Sequence, residues 1–197
     1  DVCVVSSAIN HNNPELIAAR HGKIPIVPRA LMLGELMRFK KGIAIAGSHG
    51  KTTTTSLVSH ILAESNFDPT YVIGGKLSSD GIGARLGRGD ILVAEADESD
   101  GSFLNLSPFL AAVTNIDRDH LEFYGNDFNN LKKAFISFIH RLPFYSSVVL
   151  CIEDKVVREI IPSLSRSVLT VGFRLEADIR ASEIKQNGIE VFFKVTQ

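Results

Sequence analysis

The amino-acid sequence predicts an α/β fold in which helices flank a mainly parallel β-sheet. Short, fully apolar runs recur along the 197 residues, as is typical of strands that are buried on both faces of a sheet. Segments with helical spacing of apolar residues separate these runs, which is the order that parallel strands require. A third observation is the glycine loop at residues 47–53 (GSHGKTT), which joins an apolar strand to a helix.

The first forty residues contain one strand–helix–strand–helix unit. Asn13 and Pro14 are typical of a helix cap and of a first helical position, so they predict where the first helix starts. We expect this unit to be the tail of a Rossmann-like domain that ends near residue 40. The chain begins in mid-strand with Asp1, so we also expect a piece of a longer protein. The predicted elements are strands at 2–5 and 24–27 and helices at 14–20 and 30–38.

The remainder of the chain is predicted to form a second domain with the same alternation of strands and helices. Apolar residues at helical spacing, from Phe128 to Phe138, mark one face of an amphipathic helix. At 184–195, apolar and polar residues alternate around Asn187-Gly188, which predicts a terminal antiparallel hairpin. The predicted strands of the main sheet cover residues 43–46, 71–73, 91–94, 111–114, 148–152 and 168–171.

Composition and charge restrict the class of partner. Lys plus Arg (21) nearly balances Asp plus Glu (22), so we expect neither a nucleic-acid partner nor a membrane partner. No apolar run approaches the roughly 20 residues of a membrane span, and no signal peptide opens the chain. Cys3 and Cys151 lie in apolar runs without metal or disulfide spacing. These features predict a reducing, cytoplasmic setting.

Residues 47–53 have the features of a phosphate-binding loop and are called the phosphate loop below. Its glycines allow backbone torsions that turn several N–H groups toward an anion, and the next helix directs its positive dipole end at the same place. Lys51 is expected to reach the β- and γ-phosphates of ATP, and the Thr52 hydroxyl to bind Mg²⁺. The predicted ATP-binding residues are Gly47, Ser48, His49, Gly50, Lys51, Thr52 and Thr53.

The motif is the short form GxxGKTT, because the longer pattern would have glycine at position 45, where this chain has Ile45. An ordinary strand-to-helix turn with a solvated Lys51 is the alternative interpretation. The register of the strand, the glycines, Lys51 and Thr52 favours the phosphate loop. His49 is expected to contact the ligand through its backbone N–H rather than its ring.

An acidic stretch follows the predicted strand at 91–94. Glu95 comes directly after four apolar residues, so it is expected at the carboxyl edge of the sheet, where α/β proteins bind ligands. A carboxylate there suits Mg²⁺. Asp97, Glu98 and Asp100 are equally compatible with a ligand site and with a solvated acidic loop.

A second polar stretch follows the predicted strand at 111–114 and contains Asn115, Asp117, Asp119 and His120. These residues are expected at the same sheet edge as Lys51. His120 is therefore predicted to bind a second metal ion or a phosphate group. The alternative is a histidine with a structural role.

Together, the motifs GSHGKTT, EADESDGSFL, TNIDRDHLEFYGNDF and LPFY resemble those of the Mur ligases. The resemblance covers essentially the whole chain and is most similar to the alanine-adding branch of the family. It implies that ATP phosphorylates the carboxylate of UDP-N-acetylmuramate to an acyl phosphate, which the amine of L-alanine then attacks. The implied cofactors are ATP and Mg²⁺.

The resemblance also implies roles for individual residues. Lys51 would grip phosphate, Thr52 and Glu95 would hold a first Mg²⁺, and His120 would serve a second one. The substrate-facing loop SSDGIGARLG would contact UDP-N-acetylmuramate through Ala84 and Arg85. Within that loop the family more often has Asn at the position of Gly83.

The resemblance implies a division into domains as well. Residues 1–40 would be the end of an N-terminal UDP-substrate-binding domain, and residues 41–197 an incomplete central ATP-binding domain. The C-terminal amino-acid-binding domain would lie outside the chain, so the fragment alone is expected to be inactive. The open alternatives are a murein-recycling tripeptide ligase, a folylpolyglutamate-type ligase, and a P-loop regulatory module without ligase activity.

Overall fold

The structure is a computed structural model that describes residues 1–6, 8–74 and 83–197. The helices are α1 (Pro14–His21), α2 (Arg29–Arg38), α3 (Lys51–Glu64), α4 (Phe128–His140) and α5 (Lys155–Ile160). The strands are β1 (Cys3–Val5), β2 (Ile26–Pro28), β3 (Lys41–Ala46), β4 (Thr70–Val72), β5 (Ala84–Arg85), β6 (Ile91–Ala96), β7 (Leu110–Val113), β8 (Ser147–Cys151), β9 (Ser167–Gly172), β10 (Ile179–Asn187) and β11 (Glu190–Thr196).

The main sheet is mostly parallel, as predicted. Within the described residues it has nine strands in the order β11-β10-β9-β8-β7-β3-β6-β4-β5. The strands from β10 to β4 in this order pair in parallel, and β11 and β5 join antiparallel at the two edges. Because β3 lies between β6 and β7, the loops that follow these three strands meet at one edge of the sheet.

A second, smaller sheet contains β1 and β2, which pair in parallel. The first helix starts as predicted, with Asn13 accepting a hydrogen bond from the N–H of Glu15 and Pro14 in the first turn. Gly34 of α2 packs against the backbone of Asn105, where a Cβ atom would collide with the carbonyl oxygen. Glycine therefore permits the close approach between the first unit and the main body.

The core lies between the main sheet and its helices. The predicted apolar face of α4 is buried, and Phe103 lies against it, with its ring 5.3 Å from that of Phe135 and 5.0 Å from that of Phe138. Asp127 caps the helix by accepting a hydrogen bond from the N–H of Asn129. The buried face of α4 consists of Leu131, Ala134, Phe135, Phe138 and Ile139.

Some local features differ from the sequence prediction. The short helix α5 was not predicted, because six residues are too few to show a helical period. The hairpin turn lies at Gly188 and Ile189, one residue later than predicted, because Asn187 still pairs with Glu190. Gly188 supplies the positive φ of 62° that this turn needs. No helix in residues 1–6, 8–74 and 83–197 combines the length and apolar character needed to cross a membrane.

Candidate phosphate-binding site

The phosphate loop connects the end of β3 to the start of α3, as the sequence predicts. Gly47 and Gly50 have φ values of 139° and 79°, in a region that residues with a side chain rarely adopt. A Cβ atom on Gly47 would also collide with the hydroxyl of Thr114. The N-cap residue of α3 is Gly50, which has no side chain to cap the helix, so the N–H groups of the first turn can bind a ligand or solvent.

The residues that follow β7 hold the loop in place. The N–H of His49 donates to Asn115 Oδ1 at 2.8 Å, and the N–H of Ser48 donates to the carbonyl of Asn115 at 3.1 Å. In return, the Thr114 hydroxyl and the Asn115 amide donate to the carbonyl of His49 at 2.7 and 2.9 Å. The N–H of His49 is therefore engaged by Asn115 in this structure, and its expected contact with the ligand stays a prediction.

Lys51 folds back over the phosphate loop. Its ammonium donates to the carbonyls of Gly47 at 2.8 Å and Ser48 at 3.4 Å, and to Glu98 Oε2 at 2.8 Å. The side chains of Lys51 and Glu98 are 13% and 1% exposed, so this is a buried ion pair. No pattern in the sequence distinguishes Glu98 from its exposed neighbours Asp97 and Asp100, because its burial depends on the path of the loop after β6.

Thr52 and Glu95 lie side by side, as predicted. The Thr52 hydroxyl is 3.0 and 3.1 Å from the two carboxylate oxygens of Glu95, and the N–H of Gly74 donates to Glu95 Oε2 at 2.8 Å. In the described part of the chain there is no group of three or more His, Cys, Asp or Glu that could hold a metal ion. One hydroxyl and one carboxylate suit Mg²⁺, which usually completes its shell with water and substrate phosphates.

His120 lies in the loop that follows β7, the strand next to β3. It is exposed, has a φ of 54° and precedes the short 3₁₀ helix Leu121–Tyr124. Its imidazole makes no hydrogen bond or ion pair with any other described residue. The predicted role of His120 in binding a metal ion or phosphate therefore has no support from contacts among the described residues, and it stays a prediction.

The imidazole of His49, in contrast, contacts two carboxylates in the polar segment after β7. Its Nε2 lies 3.3 Å from Asp117 Oδ2 and 3.4 Å from Asp119 Oδ2. The N–H of Arg118 donates to Asp117 Oδ1 at 2.7 Å. That hydrogen bond, with His49 as a second cause, lowers the pKa of the Asp117 carboxyl below its ordinary value.

Arg85, which was predicted to face the substrate, lies on the edge strand β5. Its guanidinium forms an ion pair with Asp68 at 2.8 Å, and both Ala84 and Arg85 are exposed. The preceding part of the predicted substrate loop, residues 78–82, lies outside the described residues. The predicted contact of Ala84 and Arg85 with UDP-N-acetylmuramate therefore stays a prediction.

Open cavities among the described residues adjoin this edge of the sheet, and two of them reach Glu95. One, of about 400 Å³, lies between the β1–α2 unit and the main sheet, and Arg29, Gly74 and Glu95 are among its lining residues. The other, of about 350 Å³, covers the phosphate loop. Its lining residues are Ser48, His49, Gly50, Lys51, Thr52, Thr53 and Glu95.

The fold and the site together define a P-loop α/β protein, with a glycine loop between a central parallel strand and a helix and a carboxylate on the neighbouring strand. Residues 45–197 match the family described as Mur ligase middle domain, and residues 1–55 match the description Mur ligase family, catalytic domain. The chain belongs to the Mur ligase family.

Relatives and solved structures agree with this assignment. The chain is 58% identical to proteins named UDP-N-acetylmuramate--L-alanine ligase from Polaromonas sp. and Delftia acidovorans, and these matches cover 98% and 99% of it. It spans 41% of the length of each. A UDP-N-acetylmuramate-alanine ligase structure from Thermotoga maritima matches with a TM-score of 0.80 and 30% identity, over 98% of this chain and 43% of that one.

A second solved structure supports the fold alone. The UDP-N-acetylmuramate:L-alanyl-gamma-D-glutamyl-meso-diaminopimelate ligase from Neisseria meningitides has a TM-score of 0.83 at 22% identity. The match covers all of this chain and 64% of that one. The architecture is therefore shared between proteins whose names describe different amide ligases.

Proposed function

We propose that this chain is the ATP-binding part of a ligase that joins L-alanine to UDP-N-acetylmuramate. The observation that carries the proposal is the cavity that Lys51, Thr52 and Glu95 share at the phosphate loop, in a chain 58% identical to ligases of that name. ATP would transfer its γ-phosphoryl group to the muramoyl carboxylate, which gives an acyl phosphate and ADP. Attack by the amine of alanine would then form the amide and release phosphate.

The proposed role of the phosphate loop is to neutralise and orient the triphosphate of ATP. The Lys51 ammonium would balance charge on the β- and γ-phosphates, and the free N–H groups at the start of α3 would bind their oxygens. Thr52 and Glu95 are the proposed Mg²⁺ ligands, because they present oxygens about 3 Å apart in the same cavity. Bound Mg²⁺ would supply electrostatic stabilisation of the charge on the transferred phosphoryl group.

His120, Ala84 and Arg85 remain proposed contacts. His120 follows β7, the neighbour of β3, which supports a role close to the acyl phosphate or a second metal ion. Ala84 and Arg85 are the proposed contacts to UDP-N-acetylmuramate. For this contact, Arg85 would have to exchange Asp68 for an anionic group of the substrate.

The proposed division of the chain assigns residues 1–40 to a UDP-substrate-binding domain and residues 41–197 to the ATP-binding domain. Support comes from the separate sheet of β1 and β2 and from the cavity of about 400 Å³ beside it. That cavity reaches Glu95, which also lines the cavity over the phosphate loop. A carboxylate substrate bound there would therefore meet ATP near Glu95. We also propose a cytoplasmic location, where ATP and UDP-linked substrates are available.

The test is phosphate release by a protein that carries this chain at the length of its relatives. Release should require UDP-N-acetylmuramate and L-alanine together. Lys51→Ala should abolish it, because a neutral side chain cannot balance the phosphate charge. Lys133→Ala is the matched control, since Lys133 is an exposed lysine on α4, and it should retain activity.

Near-normal turnover of Lys51→Ala would refute the role of the phosphate loop. Turnover with a tripeptide in place of L-alanine would instead support the murein-recycling activity. ATP binding without any release of phosphate would favour a regulatory module.

A further inference from the structure

Glu98 is a buried carboxylate that the proposed chemistry does not use. Its side chain is 1% exposed, and Oε2 lies 2.8 Å from the ammonium of Lys51. Oε1 is buried as well and has no hydrogen-bond partner among the described residues. Removing a carboxylate from water while one oxygen stays unpaired costs free energy. Because burial of Glu98 is unfavourable by itself, we look for its role in the interaction with Lys51.

The backbone around Glu98 is fixed independently of Lys51. Its carbonyl accepts hydrogen bonds from the buried hydroxyl of Tyr124 and from the N–H of Gly101, which are 26 and 3 residues away. Gly101 has a φ of 69°, so it turns the chain sharply after the acidic stretch. The carboxylate of Glu98 is therefore presented to the phosphate loop from a rigid segment.

The three N–H groups of the Lys51 ammonium are used unequally. The contacts with Gly47 O and Glu98 Oε2 are both 2.8 Å long, whereas the contact with Ser48 O is 3.4 Å and weak. An arriving phosphate oxygen would displace the weak contact first. Two strong contacts would then still hold the ammonium while the third N–H group turns to the phosphate.

We propose that Glu98 is a positioning residue that holds the Lys51 ammonium over the phosphate loop with one N–H directed to a nucleotide phosphate. This role rests on the proposed binding of ATP. It adds the residue that fixes the position of the Lys51 ammonium, the cation expected to contact the phosphates. A long, flexible lysine side chain normally loses conformational entropy when it binds phosphate. Because Glu98 already holds Lys51 in place, less of this entropy remains to be lost when ATP binds. A glutamate paired with the phosphate-binding lysine has this role in protein kinases.

Calorimetry with Mg-ATP on a protein that carries this chain at the length of its relatives tests the proposal. Glu98→Gln keeps the size of the side chain and removes its charge, and it should weaken binding by about 10- to 100-fold. Glu64→Gln is the matched control, since Glu64 is exposed at the opposite end of α3, about 20 Å away along the helix axis. Its affinity should equal that of the wild type.

A double variant separates positioning of Lys51 from a general effect of charge. Once Lys51→Ala has removed the ammonium, Glu98→Gln should weaken Mg-ATP binding no further, because there is no lysine left to position. Additive losses would overturn the proposal. So would tighter binding by Glu98→Gln, because the carboxylate would then oppose the phosphate. Glu98→Asp, which retracts the carboxylate by one methylene, should also bind more weakly, and wild-type affinity would refute positioning.

A measurement without nucleotide keeps the inference distinct from the proposed function. The ¹⁵N NMR resonance of the Lys51 ammonium, assigned by its absence in Lys51→Ala, should be visible because the buried ion pair slows proton exchange. Glu98→Gln should abolish it, and Glu64→Gln should not. An ammonium resonance that is unchanged by Glu98→Gln would overturn the inference, whether or not Mg-ATP binds. A failure of the wild type to bind Mg-ATP, with the resonance lost in Glu98→Gln, would count against the proposed function alone.

Discussion

Single residues around the phosphate loop are constrained by more than one requirement. Gly47 must adopt a positive φ and must also leave room for the Thr114 hydroxyl. Tyr124 is 7% exposed, and its hydroxyl donates to the carbonyl of Glu98. Burial, followed by the nearby negative charge of Glu98, raises the pKa of Tyr124 above its ordinary value.

The raised pKa of Tyr124 predicts a specific loss of stability in alkali. A group whose pKa is higher in the folded state contributes fully below its unfolded pKa, here about 10, and that contribution falls as the pH rises further. Tyrosinate absorbance should therefore show one of the three tyrosines ionising above the ordinary range. In Tyr124→Phe this late step should disappear, and urea unfolding should depend less on pH above about pH 10. A late step that persists in Tyr124→Phe would contradict the assignment.

At the scale of elements, α4 depends on a local signal at its start and on burial along its length. Asp127 accepts the N–H of Asn129 at 2.8 Å and satisfies one of the free donors of the first turn. Asp127→Ala should lower the free energy of unfolding by about 1 kcal/mol, as measured by urea denaturation. Asn129→Ala, on the exposed side of the same turn, should change it by less than about 0.5 kcal/mol. Equal effects of the two substitutions would argue against capping.

Elements of this kind are predictable where a local pattern determines them. The apolar runs predicted the parallel strands, and helical spacing predicted the buried face of α4. The phosphate loop and the pairing of Thr52 with Glu95 followed from glycine spacing and from the position after a strand. Tertiary contacts determine the rest. Neither the burial of Glu98 nor the hydrogen bonds between Asn115 and the loop have a signal in the spacing of nearby residues.

At the scale of the whole chain, the outermost strands of the main sheet among the described residues differ in length. The β4 side ends in the two-residue strand β5, which is too short to pair extensively with another chain. The β11 side ends in a seven-residue strand that is exposed along its length. Long, exposed edges with apolar residues favour pairing between chains. The exposed apolar residues of β11 are Val191, Phe192, Phe193 and Val195.

With β11 as its outermost strand, the 197-residue polypeptide is expected to self-associate in a concentration-dependent way. Phe193→Lys places a charge on β11 and should reduce association as measured by light scattering coupled to size-exclusion chromatography. Phe39→Lys makes the same change at an exposed residue that ends α2, far from the hairpin in sequence, and should leave association unchanged. Equal effects of both substitutions would show that general surface charge, rather than the strand edge, controls association.

The hydrogen bonds between the phosphate loop and the end of β7 have a consequence for the order of folding. His49 and Asn115 are separated by 66 residues, and the strands that lead to them pair directly in the sheet. The loop sequence alone therefore does not fix its own geometry. Contacts between residues so distant in sequence form only after the intervening chain has been brought together. We therefore expect the phosphate loop to reach its binding geometry late in folding, when β3 pairs with β7. Formation of α3, the helix after the loop, would not be enough.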